Sequence, residues 1–134
     1  MLTTENTEDT EVPNKEITEA VIGSAICVHT ALGPGLLESV YERCLGYELN
    51  QRGHLVEVPK AIPIIYRNVT FEVGFRADLT VDSRVLIEVK AIDQLLPVHH
   101  AQVITYLKLT GLRTGLLINF NVPLLRDGLK RISR

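Results

Sequence analysis

The stretch Arg76-Ala-Asp78-Leu-Thr-Val-Asp82-Ser-Arg-Val-Leu-Ile-Glu88-Val-Lys90 places carboxylates in two successive strand-like runs and an amine at the end of the second. Side chains of a strand alternate between its faces, so Glu88 and Lys90 share one side while Ile87 and Val89 take the other. A hairpin turning near Asp82 and Ser83 sets Asp78 opposite the region of Glu88, bringing two acids and one ammonium together. Two carboxylates with open coordination positions suit a hard cation such as Mg²⁺ (or Mn²⁺), which keeps several waters and is completed by phosphate oxygens. Lys90 then faces that phosphate, where it can hold or help deprotonate the attacking water and stabilise the charge that grows during phosphodiester cleavage. A strand with Glu and Lys at alternate positions is also commonly a solvated face with a weak ion pair, so the segment needs support from elsewhere.

That support comes from three further groups. Glu38 and Tyr41, in Gly35-Leu-Leu-Glu38-Ser-Val-Tyr41, are three apart at the opening of a helix and share a face, although an acid in a first turn also complements the helix dipole. Gln102 and Tyr106 are four apart on a later helix and can hydrogen-bond both a carboxylate and a phosphate. His99-His100, near the start of that helix, offer a metal ligand or phosphate contact, yet no carboxylate or His stands four residues on. His29 and His54 are weaker candidates. Cys27 and Cys44 lie in helix-like segments with no Cys or His at ligand spacing and read as two buried thiols, with no disulfide framework.

These side chains need a scaffold, and the apolar pattern supplies one. Residues Met1 to Pro13 are acidic and nearly devoid of apolar groups, so a flexible tail is expected before a single domain over 14–134. Ile17, Val21, Ile22, Ala25, Ile26, His29 and Leu32 recur at helical spacing, with Asn14 as N-cap and Gly33-Pro34-Gly35 as stop. Leu37, Val40, Tyr41, Cys44, Leu45 and Leu49 predict a second helix to about Arg52, closed by Gly53. Strands are expected near Leu55 to Val58, Ile62 to Tyr66, Val69 to Val81 and Val85 to Lys90, joined as a meander with turns at Arg67-Asn68 and Asp82-Ser83. Pro97 opens a third helix through Leu112, stopped by Gly111, and Gly115 to Phe120 is an apolar strand. The stretch from Leu124 to Arg134 fits either a short helix or an edge strand.

With 134 residues, 46% of them hydrophobic, the chain can bury one ordinary core. The net charge of −2 gives no bulk attraction to a polyanion and argues against avid, sequence-independent nucleic-acid binding. No apolar run reaches bilayer-spanning length and no leader pattern opens the chain, so a cytoplasmic address without membrane association is the expectation.

Gly35-x-x-Glu38-x-x-Tyr41 resembles the motif of the GxxExxY proteins, a branch of the PD-(D/E)XK nuclease superfamily. The resemblance runs from about Ile17 to Arg131, through Gly74-Phe-Arg-Ala-Asp78, Ile87-Glu-Val-Lys90, Gln102 to Leu109 and Gly115 to Phe120. It implies an α/β (α+β) fold with a restriction-endonuclease-like core, a central mixed β-sheet flanked by α-helices. It further implies that Asp78, Glu88 and the backbone carbonyl of Val89 bind Mg²⁺ or Mn²⁺ and that Lys90 assists the nucleophilic water. Glu38 joins as a metal or water-shell carboxylate, and Gln102 with Tyr106 resembles the Gln-x-x-x-Tyr element of the exonuclease-like branch. Ala77 stands where the superfamily's name has Pro. The expected activity is metal-dependent hydrolysis of nucleic acid, DNA ahead of RNA. A non-catalytic nuclease-fold module, as homodimer or accessory subunit, is the alternative. A third reading, nucleic-acid binding without catalysis, rests on Arg67, Arg76, Lys108, Arg113, Arg126, Lys130 and Arg131.

Overall fold

The computed structural model describes residues 12–59, 61–75 and 77–134. Within them the chain forms helices α1 (Lys15–Leu32), α2 (Glu38–Gln51) and α3 (Pro97–Thr110), and strands β1 (Val56–Glu57), β2 (Ile62–Tyr66), β3 (Val69–Phe75), β4 (Leu79–Val81), β5 (Val85–Lys90), β6 (Thr114–Asn119) and β7 (Leu129–Ser133). Five strands make a mixed sheet in the order β1-β4-β5-β6-β7, in which β5 and β6 run parallel and the other neighbours antiparallel. The crossover between β5 and β6 is α3, as a parallel pair requires. The first eleven residues of the expected acidic tail lie outside the described residues, as does Arg76, whereas the carbonyl of Pro13 accepts a hydrogen bond from Arg131.

The sheet is apolar on both faces, and each face has its own helices. Val85, Ile87 and Val89 of β5 join Leu116, Ile118 and Phe120 beneath α1 and α2. Leu86 and Leu117 turn the other way, to Val103 and Leu107 of α3 and Ile132 of β7. Burial on both sides explains why β5 and β6 read as nearly unbroken hydrophobic runs. Within α1 the buried stripe is Ile17, Thr18, Val21, Ser24, Ala25, Val28 and His29, and Cys27 falls off it. Cys27 is therefore exposed, not buried as its sequence context suggested, and it accepts a hydrogen bond from Arg52 at 3.2 Å.

The expected meander is interrupted. Val69 to Val81 is not one strand: β3 pairs only with β2, as a separate two-stranded ribbon, and β4 pairs with β1 and β5 in the main sheet. The ribbon is thus an insertion between β1 and β4, and Asp78 stands where the chain returns from it. Arg67 and Asn68 both take positive φ, 50° and 64°, forming the two-residue turn whose twist matches a hairpin. Asp82 (φ 54°) and Ser83 (φ 55°) turn β4 into β5, and Asp82 also holds β1 in place. Its Oδ1 accepts the Leu55 amide at 2.9 Å and its Oδ2 lies 2.7 Å from His54 Nδ1. The His54 hydrogen bond keeps the Asp82 carboxyl below the usual range.

Asn14 occupies the N-cap position of α1 but does not cap it with its side chain, which donates instead to Thr114 Oγ1 at 3.0 Å. Residues 125–133 form both alternatives left open by their sequence, a 3-10 turn (Leu125–Gly128) followed by edge strand β7. Gly128 sits directly against the carbonyl of Asn119, leaving no room for a Cβ.

Candidate active site

The hairpin register aligns Leu79 with Ile87, so Asp78, one residue before β4, falls level with Glu88. The two acids clasp each other's strands. The Asp78 amide donates to Glu88 Oε1 at 2.9 Å, and the Val89 amide donates to Asp78 Oδ2 at 2.6 Å. Lys90 Nζ, two residues along the same face, stands 3.6 Å from Glu88 Oε2. Glu88 is 3% exposed, whereas Lys90 remains partly open to solvent.

Glu38 reaches this cluster from the first turn of α2, where its Oε2 accepts the Ala91 amide at 3.3 Å. The loop before α2 explains how. The Tyr41 hydroxyl donates to the Gly33 carbonyl at 2.6 Å and accepts from the Leu36 amide at 3.1 Å. Its ring, fully buried, stacks on Phe120 at a centroid separation of 4.5 Å. Tyr41 therefore ties the Gly33–Leu36 bend, in which Gly33 and Gly35 take φ of 70° and 100°, to the core. Of the residues spaced Gly35, Glu38, Tyr41, one permits the bend, one faces the site and one fixes the bend.

Burial is the main reason that the Asp78 carboxyl is raised above its ordinary value, with the Glu38 charge adding and the Val89 amide and Lys90 opposing. Glu88 is raised from 4.5 to about 7, first by burial and then by the Asp78 charge. One ammonium beside buried carboxylates leaves negative charge uncompensated, which is the electrostatic demand a divalent cation meets. Among the described residues, no three His, Cys, Asp or Glu side chains form a group that could hold a metal. The side chains of the cluster that could serve as oxygen donors to such a cation are Asp78 and Glu88, with Glu38 beyond them. Two oxygen-bearing ligands are what Mg²⁺ ordinarily takes from protein before water and phosphate complete its shell.

The opposite wall comes from α3. Burial, followed by the charges of Glu88 and Asp78, raises the Tyr106 phenol above its usual value. Gln102 lies one turn earlier on the same face, and its Oε1 is buried with no hydrogen-bond partner. A buried, unpaired carbonyl oxygen carries a penalty that a donor or cation within reach would relieve.

Asp78, Glu88, Lys90, Glu38 and Tyr106 are thus brought together, and Gln102 stands one turn before Tyr106 on α3. The histidines are not. His99 Nδ1 accepts the Leu96 amide at 2.9 Å and closes the start of α3, while His29 Nε2 meets the Val122 carbonyl at 2.7 Å. His100 is exposed on α3. Two of the basic residues lie apart from the site: Arg113 precedes β6 at the opposite end of the sheet, and Arg131 bonds Thr18 Oγ1. One site residue escaped the sequence reading. Glu42 hydrogen-bonds the Asp78 side chain and helps to hold its carboxyl down. Its position four residues after Glu38, on the same helical face, was the available signal.

The family model for the PD-(D/E)XK nuclease superfamily matches residues 15–132. The chain belongs to the PD-(D/E)XK nuclease superfamily. The α+β architecture, with its mixed five-stranded sheet between helices, is the restriction-endonuclease-like fold of PD-(D/E)XK proteins. No curated protein and no solved structure gives a match. Among the described residues, no helix is long and apolar enough to cross a membrane.

Proposed function

We propose that this protein is a Mg²⁺- or Mn²⁺-dependent nuclease of the GxxExxY branch, hydrolysing phosphodiester bonds in nucleic acid, DNA ahead of RNA. The observation that carries the reading is the mutual clasp of Asp78 and Glu88 with Lys90 at 3.6 Å from Glu88. Asp78 and Glu88, with the Val89 carbonyl, would hold the cation, which supplies Lewis acidity toward the phosphate when bound.

The protein's own groups do the rest. Each acid gives one oxygen to a backbone amide, which fixes its rotamer and directs the second oxygen to the site. Glu38, anchored by Ala91, orients water from the α2 side, and Glu42 holds Asp78 in position. Lys90 donates hydrogen bonds to the phosphate and to the attacking water, countering the charge that develops as the new P–O bond forms and the old one breaks. Gln102 and Tyr106 present polar groups from α3 to that phosphate. The attacking water gives up one proton to solvent and the displaced oxygen takes one up, which completes the hydrolysis.

Titration calorimetry with Mg²⁺ or Mn²⁺ tests the ligands: binding is expected in the native protein and lost in Asp78→Asn and Glu88→Gln, which keep the acceptor oxygens that pin β4 to β5. Unchanged binding in both variants refutes the assignment. Lys90→Ala is expected to keep the metal and lose hydrolysis of single-stranded, double-stranded or branched substrates. Absence of cleavage of all three by the native protein, with metal bound, would instead favour a non-catalytic role as a homodimer or accessory subunit.

A further inference from the structure

Among the described side chains, none of the β2–β3 ribbon joins the two apolar cores, yet the ribbon carries large apolar groups. Its register pairs Tyr66 with Val69 and Ile64 with Phe71, and alternation along each strand puts all four on one face. Tyr66 is 60% exposed, Val69 52% and Phe71 49%. Among the described residues, no helix or other strand packs extensively on this face. The Arg67 guanidinium lies 5.4 Å from the centre of the Tyr66 ring, at the tip.

Two observations bear on what this face could receive. The first is charge: the segment 59–77 contains Lys60, Arg67 and Arg76 against Glu72 alone, a net of +2 in a chain whose total is −2. The second is place. Val56 and Glu57 pair with Val81 and Thr80, so the ribbon is rooted at the end of the sheet where Asp78 stands. Unstacked bases offer apolar faces to aromatic rings, while their backbone demands positive charge, and a duplex hides those faces.

We propose that the ribbon is a stacking platform for single-stranded nucleic acid, with Tyr66 and Phe71 receiving bases and Arg67 the adjoining phosphate, so that strands are led to the Asp78–Glu88 site. This deepens the nuclease reading and rests on it for its purpose.

The test is fluorescence anisotropy of the full chain with a labelled oligodeoxythymidylate, and with a duplex of equal length, in EDTA. The native protein is expected to prefer the single strand. Tyr66→Leu and Phe71→Leu keep apolar bulk but remove the ring, and each should weaken binding on the order of 10-fold. Tyr66→Trp should retain binding, and Arg67→Ala should flatten its salt dependence. Thermal melting checks that each variant is folded. The proposal is overturned if both leucine variants bind as the native protein does, if duplex is bound as tightly as single strand, or if no oligonucleotide binds. It is equally overturned if sedimentation shows a dimer that Tyr66→Arg dissolves, since the face would then belong to a second copy. Because the binding assay contains no metal, failure to cleave counts only against the nuclease reading, and unaltered leucine variants count only against the platform.

Discussion

Replacing Glu88 by Gln should stabilise the metal-free protein, and the gain should depend on pH. Burial and the neighbouring Asp78 charge raise the Glu88 carboxyl from 4.5 to about 7, which corresponds to about 3 kcal/mol between its two protonation states. With a side chain only 5% exposed, little of this is lost to solvent screening. The sign follows from proton linkage. Between pH 4.5 and about 7 the folded protein binds more protons than the unfolded one, so this residue's contribution to stability is full below 4.5, declines as pH rises, and is gone above about 7. Gln keeps a carbonyl oxygen for the Asp78 amide and carries no charge. Urea denaturation in EDTA should therefore place the Glu88→Gln midpoint about 1–2 M above the native one at pH 8, and near it at pH 5. Excess Mg²⁺ at pH 8 should close the gap by stabilising only the native protein, by about 2.7 kcal/mol at 100 times its dissociation constant. A Glu88→Gln protein less stable than the native one at pH 8 without metal would refute the reasoning, because the buried charge would then be a net stabiliser.

Other substitutions probe the surroundings of the site. Gln102→Leu removes the unpaired buried carbonyl oxygen and should raise metal-free stability by about 1 kcal/mol in thermal melts while lowering the cleavage rate. Tyr41→Phe should leave the ring on Phe120 but release the Gly33–Leu36 bend, costing about 1–3 kcal/mol by urea titration and lowering cleavage through the displaced Glu38. Gly115→Ala presses a methyl toward Val103 Cγ1, 2.8 Å away, a side-chain atom that can shift for about 1–3 kcal/mol. Gly128→Ala meets the Asn119 backbone instead and should be the more damaging of the two by denaturation midpoint.

The parts of the fold visible in the sequence are those fixed by short-range rules. Helical spacing from Ile17 and from Leu37, the Gly33 and Gly111 stops and the alternation through Val85–Lys90 all depend on near neighbours, and the elements follow them within a residue or two. The division of Val69–Val81 does not. Val69-Thr-Phe-Glu-Val-Gly-Phe and Leu79-Thr-Val are equally apt for a strand, and only their partners, β2 for one and β5 for the other, separate them. The side chain of Asn14 likewise answers to Thr114, far along the chain. Asp78, Glu88 and Lys90 were legible because one hairpin brings them level. Glu42 was not, since an acid on a helix reads as solvated until Asp78, at the entry to β4, is set against it.

The crossed links between Asp78 and Glu88 make the residues proposed to hold the cation also fasteners of the sheet. Cutting either side chain back to Cβ also unpins β4 from β5 where their ladder ends, so a truncated variant confounds lost chemistry with a frayed edge. Asn and Gln keep the acceptor oxygens, and a silent yet intact version of this protein is best reached through them.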